Sequence, residues 1–158
     1  MSTSLPKVAL ITGASRGIGA VIARQLAGEG FAVVINYANS ADEASALVAE
    51  LHSAGHQAIA VQADVASAAD VARLFDEAEE QLGKIDVLIN NAGVLKVLPL
   101  VQHSDELYEQ TFNINTRGTF NTLREAATRL NSGGRIINFS SSTVGMNLPG
   151  YAVYIASK

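Results

Sequence analysis

Short apolar runs separated by polar stretches of helical spacing organise this chain. The runs are Val8-Ala9-Leu10-Ile11, Phe31 to Ile35, Ile59-Ala60-Val61, Val87-Leu88-Ile89 and Arg135 to Phe139. They are continuous and do not alternate with polar residues, which is the pattern of strands buried on both faces of a parallel sheet. Between them the period changes to that of a helix. Val71, Leu74, Phe75, Ala78 and Leu82 fall at i, i+3, i+4, i+7 and i+11, and Ala44, Leu47, Val48 and Leu51 form a similar stripe one unit earlier. Ser40-Ala41-Asp42-Glu43 has the form of a capping box, and Ser67-Ala68-Ala69-Asp70 is its aspartate analogue. Gly30, Gly55 and Gly83 stand where three helices should stop. A longer helix is predicted from about Ser104 to Leu130, with Asp105 and Glu106 at its positive end. Strands alternating with helices predict an α/β fold, a doubly wound parallel sheet with right-handed crossovers.

Composition narrows the function. The chain has 158 residues, of which 48% are hydrophobic and only 16% charged. A typical soluble domain carries about 25% charged residues, so much surface is expected to be buried or to face a partner subunit. A net charge of −4 provides no basic footprint, which argues against nucleic acid or an anionic membrane as partner. There is no cysteine, which excludes disulfides, thiolate metal sites and cysteine nucleophiles. Met1 to Pro6 is short and polar, and the apolar run behind it has four members, too few for a signal-peptide core or a membrane span. A cytoplasmic location is the expectation. His52 and His56 are four apart, but Gly55 should end any helix between them; they read as surface histidines, and no metal is expected.

The first strand runs into Thr12-Gly13-Ala14-Ser15-Arg16-Gly17-Ile18-Gly19. Glycines that follow a strand and open a helix suit a pyrophosphate, because backbone N–H groups and the helix dipole then face the anion. Gly13 permits the tight turn, Gly17 the approach of phosphate to backbone, and Gly19 the close packing of helix on strand. The spacing is G-x-x-x-G-x-G, not G-x-G-x-x-G.

TGASRGIG resembles the glycine motif of the short-chain dehydrogenase/reductase family, and four further motifs follow in order. Asp64-Val65 closes the third strand and Asn90-Asn91-Ala92-Gly93 the fourth. Asn115 lies in FNINTRG, and Ser141 stands thirteen residues before Tyr154 of Tyr154-Ile155-Ala156-Ser157-Lys158. The resemblance runs from about Lys7 onward, closest to the branch that includes 3-oxoacyl-(acyl-carrier-protein) reductases. It implies a Rossmann sheet of five strands in the order 3-2-1-4-5, helices on both faces, and two further strands beyond Lys158. Residues 1–158 are therefore expected to be one NAD(P)-binding domain lacking its carboxyl-terminal part, with the segment after Gly150 marginal as a helix on its own. It implies too that Gly13, Ser15, Arg16, Gly17, Ile18 and Gly19 bind the cofactor with Tyr37, Asn39 and Ser40. Asp64 would accept a bond from the adenine amino group, and Val65 would pack near the ring. Asn91, Ala92 and Gly93 would line the ribose side, with Asn90 bracing neighbouring strands. Asn115, Ser141, Tyr154 and Lys158 would be catalytic. In that scheme Tyr154 is the general acid, Lys158 favours its phenolate and holds the nicotinamide ribose, Ser141 holds the substrate oxygen, and Asn115 anchors a water leading from Lys158.

The expected cofactor is NADP(H). An NAD-selective site places an acid about twenty residues past the glycines; Tyr37 occupies that place here, and Arg16 stands in the glycine loop. The expected activity is reduction of a ketone, including a 3-oxoacyl thioester, to a secondary alcohol. The alternatives are an NAD-dependent sugar or alcohol dehydrogenase, and a non-catalytic nucleotide-binding module. The expected partners are a small carbonyl or alcohol substrate and further copies of the chain, as a homodimer or homotetramer when full length. Val94 to Leu100 and Ser142 to Gly150, largely apolar, are expected to wall the substrate pocket.

Overall fold

A computed structural model describes residues 5–158; the polar residues 1–4 lie outside the described part. Five parallel strands form one sheet in the order β3-β2-β1-β4-β5. They are β1 (Val8–Ile11), β2 (Ala32–Tyr37), β3 (Ala58–Gln62), β4 (Ile85–Asn90) and β5 (Arg135–Asn138). The crossovers are helical: α1 (Gly17–Gly28), α2 (Ala41–Ser53), α3 (Ala68–Leu82), and α4 (Asp105–Phe112) with α5 (Gly118–Arg129); α6 (Thr143–Met146) and α7 (Ala152–Ser157) follow β5.

Side chains leave successive strand residues on opposite faces, so each strand feeds two cores. Val8 and Leu10 of β1 point with Val34 of β2 and Leu88 of β4 to one side, against Val71, Leu74 and Phe75 of α3 and Ala126 of α5. Ala9 and Ile11 point with Val33, Ile35 and Ile89 to the other, against Ala20 and Ala23 of α1 and Leu47 of α2. The α3–α5 layer is pinned at its rim by Arg129. Its guanidinium bonds Asp76 at 2.7 Å, Glu79 at 2.8 Å and Glu125 at 3.3 Å, and lies 5.4 Å from the centre of the Phe75 ring.

Several expectations change in detail. β5 is exposed along its whole length, because it is the edge strand and no helix covers it. Ser40 precedes α2 but its hydroxyl caps nothing. Ser67 does cap α3, accepting from Asp70 N–H at 3.2 Å, but the return arm is missing: Asp70 Oδ2 instead accepts the N–H of Asp64 at 3.0 Å. The helix expected over 104–130 begins at a genuine cap, Ser104 accepting from Leu107 N–H, and is divided by a π turn over Asn113–Arg117. Such one-turn widenings gather at functional sites, and this one surrounds Asn115. The segment after Gly150 is helical, tied to that same turn: Thr116 Oγ1 donates to Ser157 O at 3.1 Å.

Candidate active site

In doubly wound sheets ligands bind beyond the carboxyl ends of the strands where the strand order reverses. A cleft of about 520 Å³ lies there. Its floor is the glycine loop (Gly13, Ser15, Arg16, Gly17, Ile18). One side is the end of β2 with Tyr37, Asn39 and Ser40; the others are Asp64 and Val65 after β3 and Asn91, Ala92 and Gly93 after β4. All thirteen are residues expected to bind the cofactor. Gly19 is not on the lining; it is buried beneath. A Cβ there would come within 2.7 Å of Asn91 Nδ2 and of Gly13 O, so a side chain is excluded. At Gly17 the reverse holds: nothing lies within 4 Å of a built Cβ, and φ is +57°.

Buried polar side chains at the strand ends hold the walls together. Thr12 Oγ1 accepts the N–H groups of Asn91 (3.1 Å) and Ala92 (3.0 Å), joining the loops after β1 and β4. Asn91 answers by donating Nδ2 to the carbonyls of Thr12 and Gly13. Asn36 Oδ1 accepts Gly13 N–H at 3.2 Å while its Nδ2 donates to Ala63 O at 3.0 Å, tying the glycine loop to the end of β3. Asn90 braces its neighbours, donating to Asn138 Oδ1 on β5 and accepting from Thr122 Oγ1. Thr12 and Asn36 were not among the expected site residues. Their signal is a single polar residue within or just past an apolar strand run. Gln110 and Ile114, four apart on one helical face, also line the cleft and were missed.

Charge in the cleft is arranged for an anion. Arg16 is its only cation, standing at the amino end of α1 with no ion-pair partner among the described residues, and no side chain caps that end. The unpaired first-turn N–H groups and the helix dipole therefore face the cleft. Asp64 is the only carboxylate on the lining. Its Oδ1 accepts Ala66 N–H at 2.9 Å, which orients the group and leaves Oδ2 for a donor.

None of the four expected catalytic residues lies on that lining; Asn115 and Lys158 stand beside Gly93, which does. Asn115 is buried, with Oδ1 accepting Val94 N–H (2.8 Å) and Nδ2 donating to Val94 O (3.0 Å) and Ser157 Oγ (2.8 Å). Its side chain is thus a clamp between the loop after β4 and α7. The clamp brings Lys158 beside Gly93: a Cβ on Gly93 would lie 3.8 Å from Lys158 Nζ and 3.4 Å from Asn115 Oδ1. Partial burial lowers the pKa of the Lys158 ammonium from its ordinary value by desolvation. Tyr154 is half-buried one turn earlier, its ring edge-on to Tyr151. The Ser141 hydroxyl pairs with Thr143 Oγ1 at 2.7 Å, and no hydrogen bond joins it to Tyr154 among the described residues. The two expected wall segments do meet, Leu98 N–H donating to Gly150 O at 3.0 Å, but only Val94 of them lines the cleft. His52 Nε2 lies 2.8 Å from Ala58 O.

A doubly wound sheet with an anion-ready glycine loop at its switch point defines a Rossmann-type nucleotide-binding fold. The sequence model described as short chain dehydrogenase matches residues 7–158, and the chain belongs to that family. It is 45% identical over 153 residues to a short-chain dehydrogenase/reductase of Pestalotiopsis microspora, covering 96% of this chain and 58% of that protein. It is 46% identical over 153 residues to a probable tetrahydroxynaphthalene reductase of Zymoseptoria tritici, covering 96% and 57%. Among solved structures, a short chain dehydrogenase from Burkholderia cenocepacia in complex with NADP has a TM-score of 0.92 at 39% identity, over 98% of this chain and 63% of that one. The chain thus spans rather more than half the length of these relatives. No helix among the described residues is long and apolar enough to cross a membrane.

Proposed function

We propose that this chain is the cofactor-binding part of an NADPH-dependent oxidoreductase that reduces a ketone to a secondary alcohol. One observation carries the reading: Arg16 and the uncapped start of α1 face a cleft with no carboxylate at the end of β2. A 2′-phosphate there would meet a cation and no repelling acid. The residues fit the cofactor. Gly17 leaves open space for a pyrophosphate, Asp64 Oδ2 is available to an adenine amino group, and Gly93 leaves room between the cleft and Lys158. The similar Burkholderia structure holds NADP, and the Zymoseptoria relative is named a reductase, which supports the same assignment.

When bound, the cofactor supplies a hydride for the carbonyl carbon. Tyr154 donates its phenolic proton to the carbonyl oxygen, so that one hydride and one proton convert C=O to CH–OH. Lys158, one turn along the same face, stabilises the phenolate left behind. Ser141 orients the carbonyl oxygen, once its hydroxyl turns from Thr143 to the substrate. Asn115 holds Val94 and α7 in register; both Nδ2 hydrogens are donated, and Oδ1 accepts one bond, leaving a lone pair for a water serving Lys158. The test is titration of the full-length protein with NADPH and NADH, followed by NADPH oxidation against a panel of ketones and 3-oxoacyl thioesters. Tighter NADPH binding with turnover of a ketone is expected. Equal or tighter NADH binding would sink the phosphate assignment, and absence of turnover across the panel would sink the reductase.

A further inference from the structure

Between Tyr154 and Lys158, the last residue of α7 is a buried serine. The Ser157 hydroxyl donates to Tyr154 O at 2.7 Å, an ordinary bond back along the helix. The same oxygen accepts Asn115 Nδ2 at 2.8 Å, from an element 42 residues away. Asn115 in turn grips both the N–H and the C=O of Val94. A continuous chain of hydrogen bonds therefore runs from the cleft wall at Val94, through Asn115 and Ser157, to the backbone of Tyr154. It fixes the rotation of a six-residue helix that has few other polar ties, and Tyr154 and Lys158 project according to that rotation.

We infer that Ser157 is a positioning residue for Lys158 and Tyr154, acting through the Asn115 clamp; the catalytic side of this inference rests on the reductase reading. The geometry separates positioning from folding. Without the hydroxyl, Asn115 Nδ2 keeps one of its two donors on Val94 O at 3.0 Å and loses the partner of the other, while Asn115 Oδ1 still accepts Val94 N–H, so Ser157→Ala weakens the clamp without dismantling it. Thr116 still bonds Ser157 O, and the small side chain leaves no large void. The variant should fold, and its loss should fall on the orientation of α7.

The test uses two independent readouts on wild type, Ser157→Ala and Ser157→Thr, the last keeping the hydroxyl. The first is the rate of acetylation of Lys158, mapped by mass spectrometry and normalised to exposed Lys84; it needs neither cofactor nor turnover. In Ser157→Ala it should rise by about three- to tenfold, the factor expected for losing one neutral hydrogen bond, and in Ser157→Thr it should return to within about twofold of wild type. The second is steady-state reduction by the full-length protein, where Ser157→Ala should lower kcat by a similar factor with KM for the carbonyl unchanged. Unaltered Lys158 reactivity in Ser157→Ala, or failure of threonine to restore it, overturns the positioning role. Wild-type protein that turns over no carbonyl overturns the reductase reading instead, and the acetylation rates then decide the positioning role alone.

Discussion

Adding one methyl group to the glycine loop should be damaging for different reasons at two positions separated by a single residue. In Gly19→Ala the new Cβ would stand 2.7 Å from Asn91 Nδ2, 2.7 Å from Gly13 O and 2.8 Å from Ala14 Cα. Two of these neighbours are backbone atoms, and the third is an amide already bonded to Thr12 O and Gly13 O, so none can swing aside. Overpacking of this kind costs about 1–3 kcal/mol, and the rigid neighbours place it at the upper end. Alanine returns up to about 1 kcal/mol of helix propensity, leaving a net loss of about 2 kcal/mol. That corresponds to a fall in Tm of roughly 4–8 °C for a chain of this size. The displaced group is Asn91, which joins the β1 and β4 loops, so NADPH affinity should fall with stability. In Gly17→Ala the Cβ meets nothing within 4 Å, but φ at +57° is left-handed. The stability cost is only about 1–2 kcal/mol, while the methyl points into the space proposed for the pyrophosphate. NADPH affinity should therefore fall by more than the loss of Tm accounts for. Gly28→Ala is the control, with open space and no positive φ; it should match or exceed wild-type stability and bind NADPH normally. Thermal unfolding and fluorescence titration of the three variants decide the matter. A Gly19→Ala protein as stable as wild type would refute the packing argument, and a Gly17→Ala protein binding NADPH normally would refute the placement of the phosphates.

Arg16→Ala should weaken NADPH binding by about ten- to a hundredfold, the range of one charge-assisted hydrogen bond, and NADH binding far less; equal losses in parallel titrations would count against a 2′-phosphate contact. Tyr154→Phe in the full-length protein should cut ketone reduction by roughly 10²–10⁴ while leaving NADPH affinity nearly unchanged, as befits a proton donor; retention of most of the rate would remove Tyr154 from the chemistry. Arg129→Ala should cost about 2 kcal/mol, between exposed and buried ion-pair losses, because it strands Glu79 and Glu125 and uncovers Phe75; a Tm within a degree of wild type would show that the rim network contributes nothing. Burial favours neutral Lys158 in the folded state, so below its ordinary pKa the unfolded chain binds more protons there and stability from this group rises with pH in that alkaline window. Lys158→Met should flatten that part of the stability–pH curve, and an unchanged slope would refute it.

The apolar runs located every strand to within two residues at either end, because continuous Val/Ile/Leu segments have few places to go except the middle of a parallel sheet. Taken alone they would bury β5, whose Ile136 and Ile137 look like their counterparts in β4 but lie 40% and 48% exposed in a chain that spans 58% of its Pestalotiopsis relative. Local pattern reports what a segment can bury and is blind to which strand forms the edge. The capping motifs were half legible: Ser67 and Ser104 cap, while Ser40 does not. Ser40 lines the cleft instead, at a backbone ψ of 65° in place of the extended geometry found at Ser67 and Ser104. The π turn at Asn115 was out of reach altogether. An asparagine inside a helix signals a local conflict, but that the backbone widens around it depends on Val94, 21 residues earlier in the chain.

The residues that escaped notice share one physical character. Thr12, Asn36, Asn121 and Ser157 are all buried and polar, and each hydrogen-bonds backbone atoms of a segment far from its own position or an amide that does so. None touches the cleft with a charged group, so none has the composition of a binding residue. Yet the cleft exists because of them: its walls are loops, and loops have no ladder of their own to fix their spacing. Burying an unpaired amide costs about 1–3 kcal/mol, so each such residue favours only the arrangement in which its partners are in place. A phosphate-binding loop built from glycine cannot hold its own shape through side chains. The rigidity has to come from underneath, from Thr12 and Asn91 on one flank and Asn36 on the other, and the same logic recurs where Asn115 and Ser157 hold the tyrosine–lysine helix.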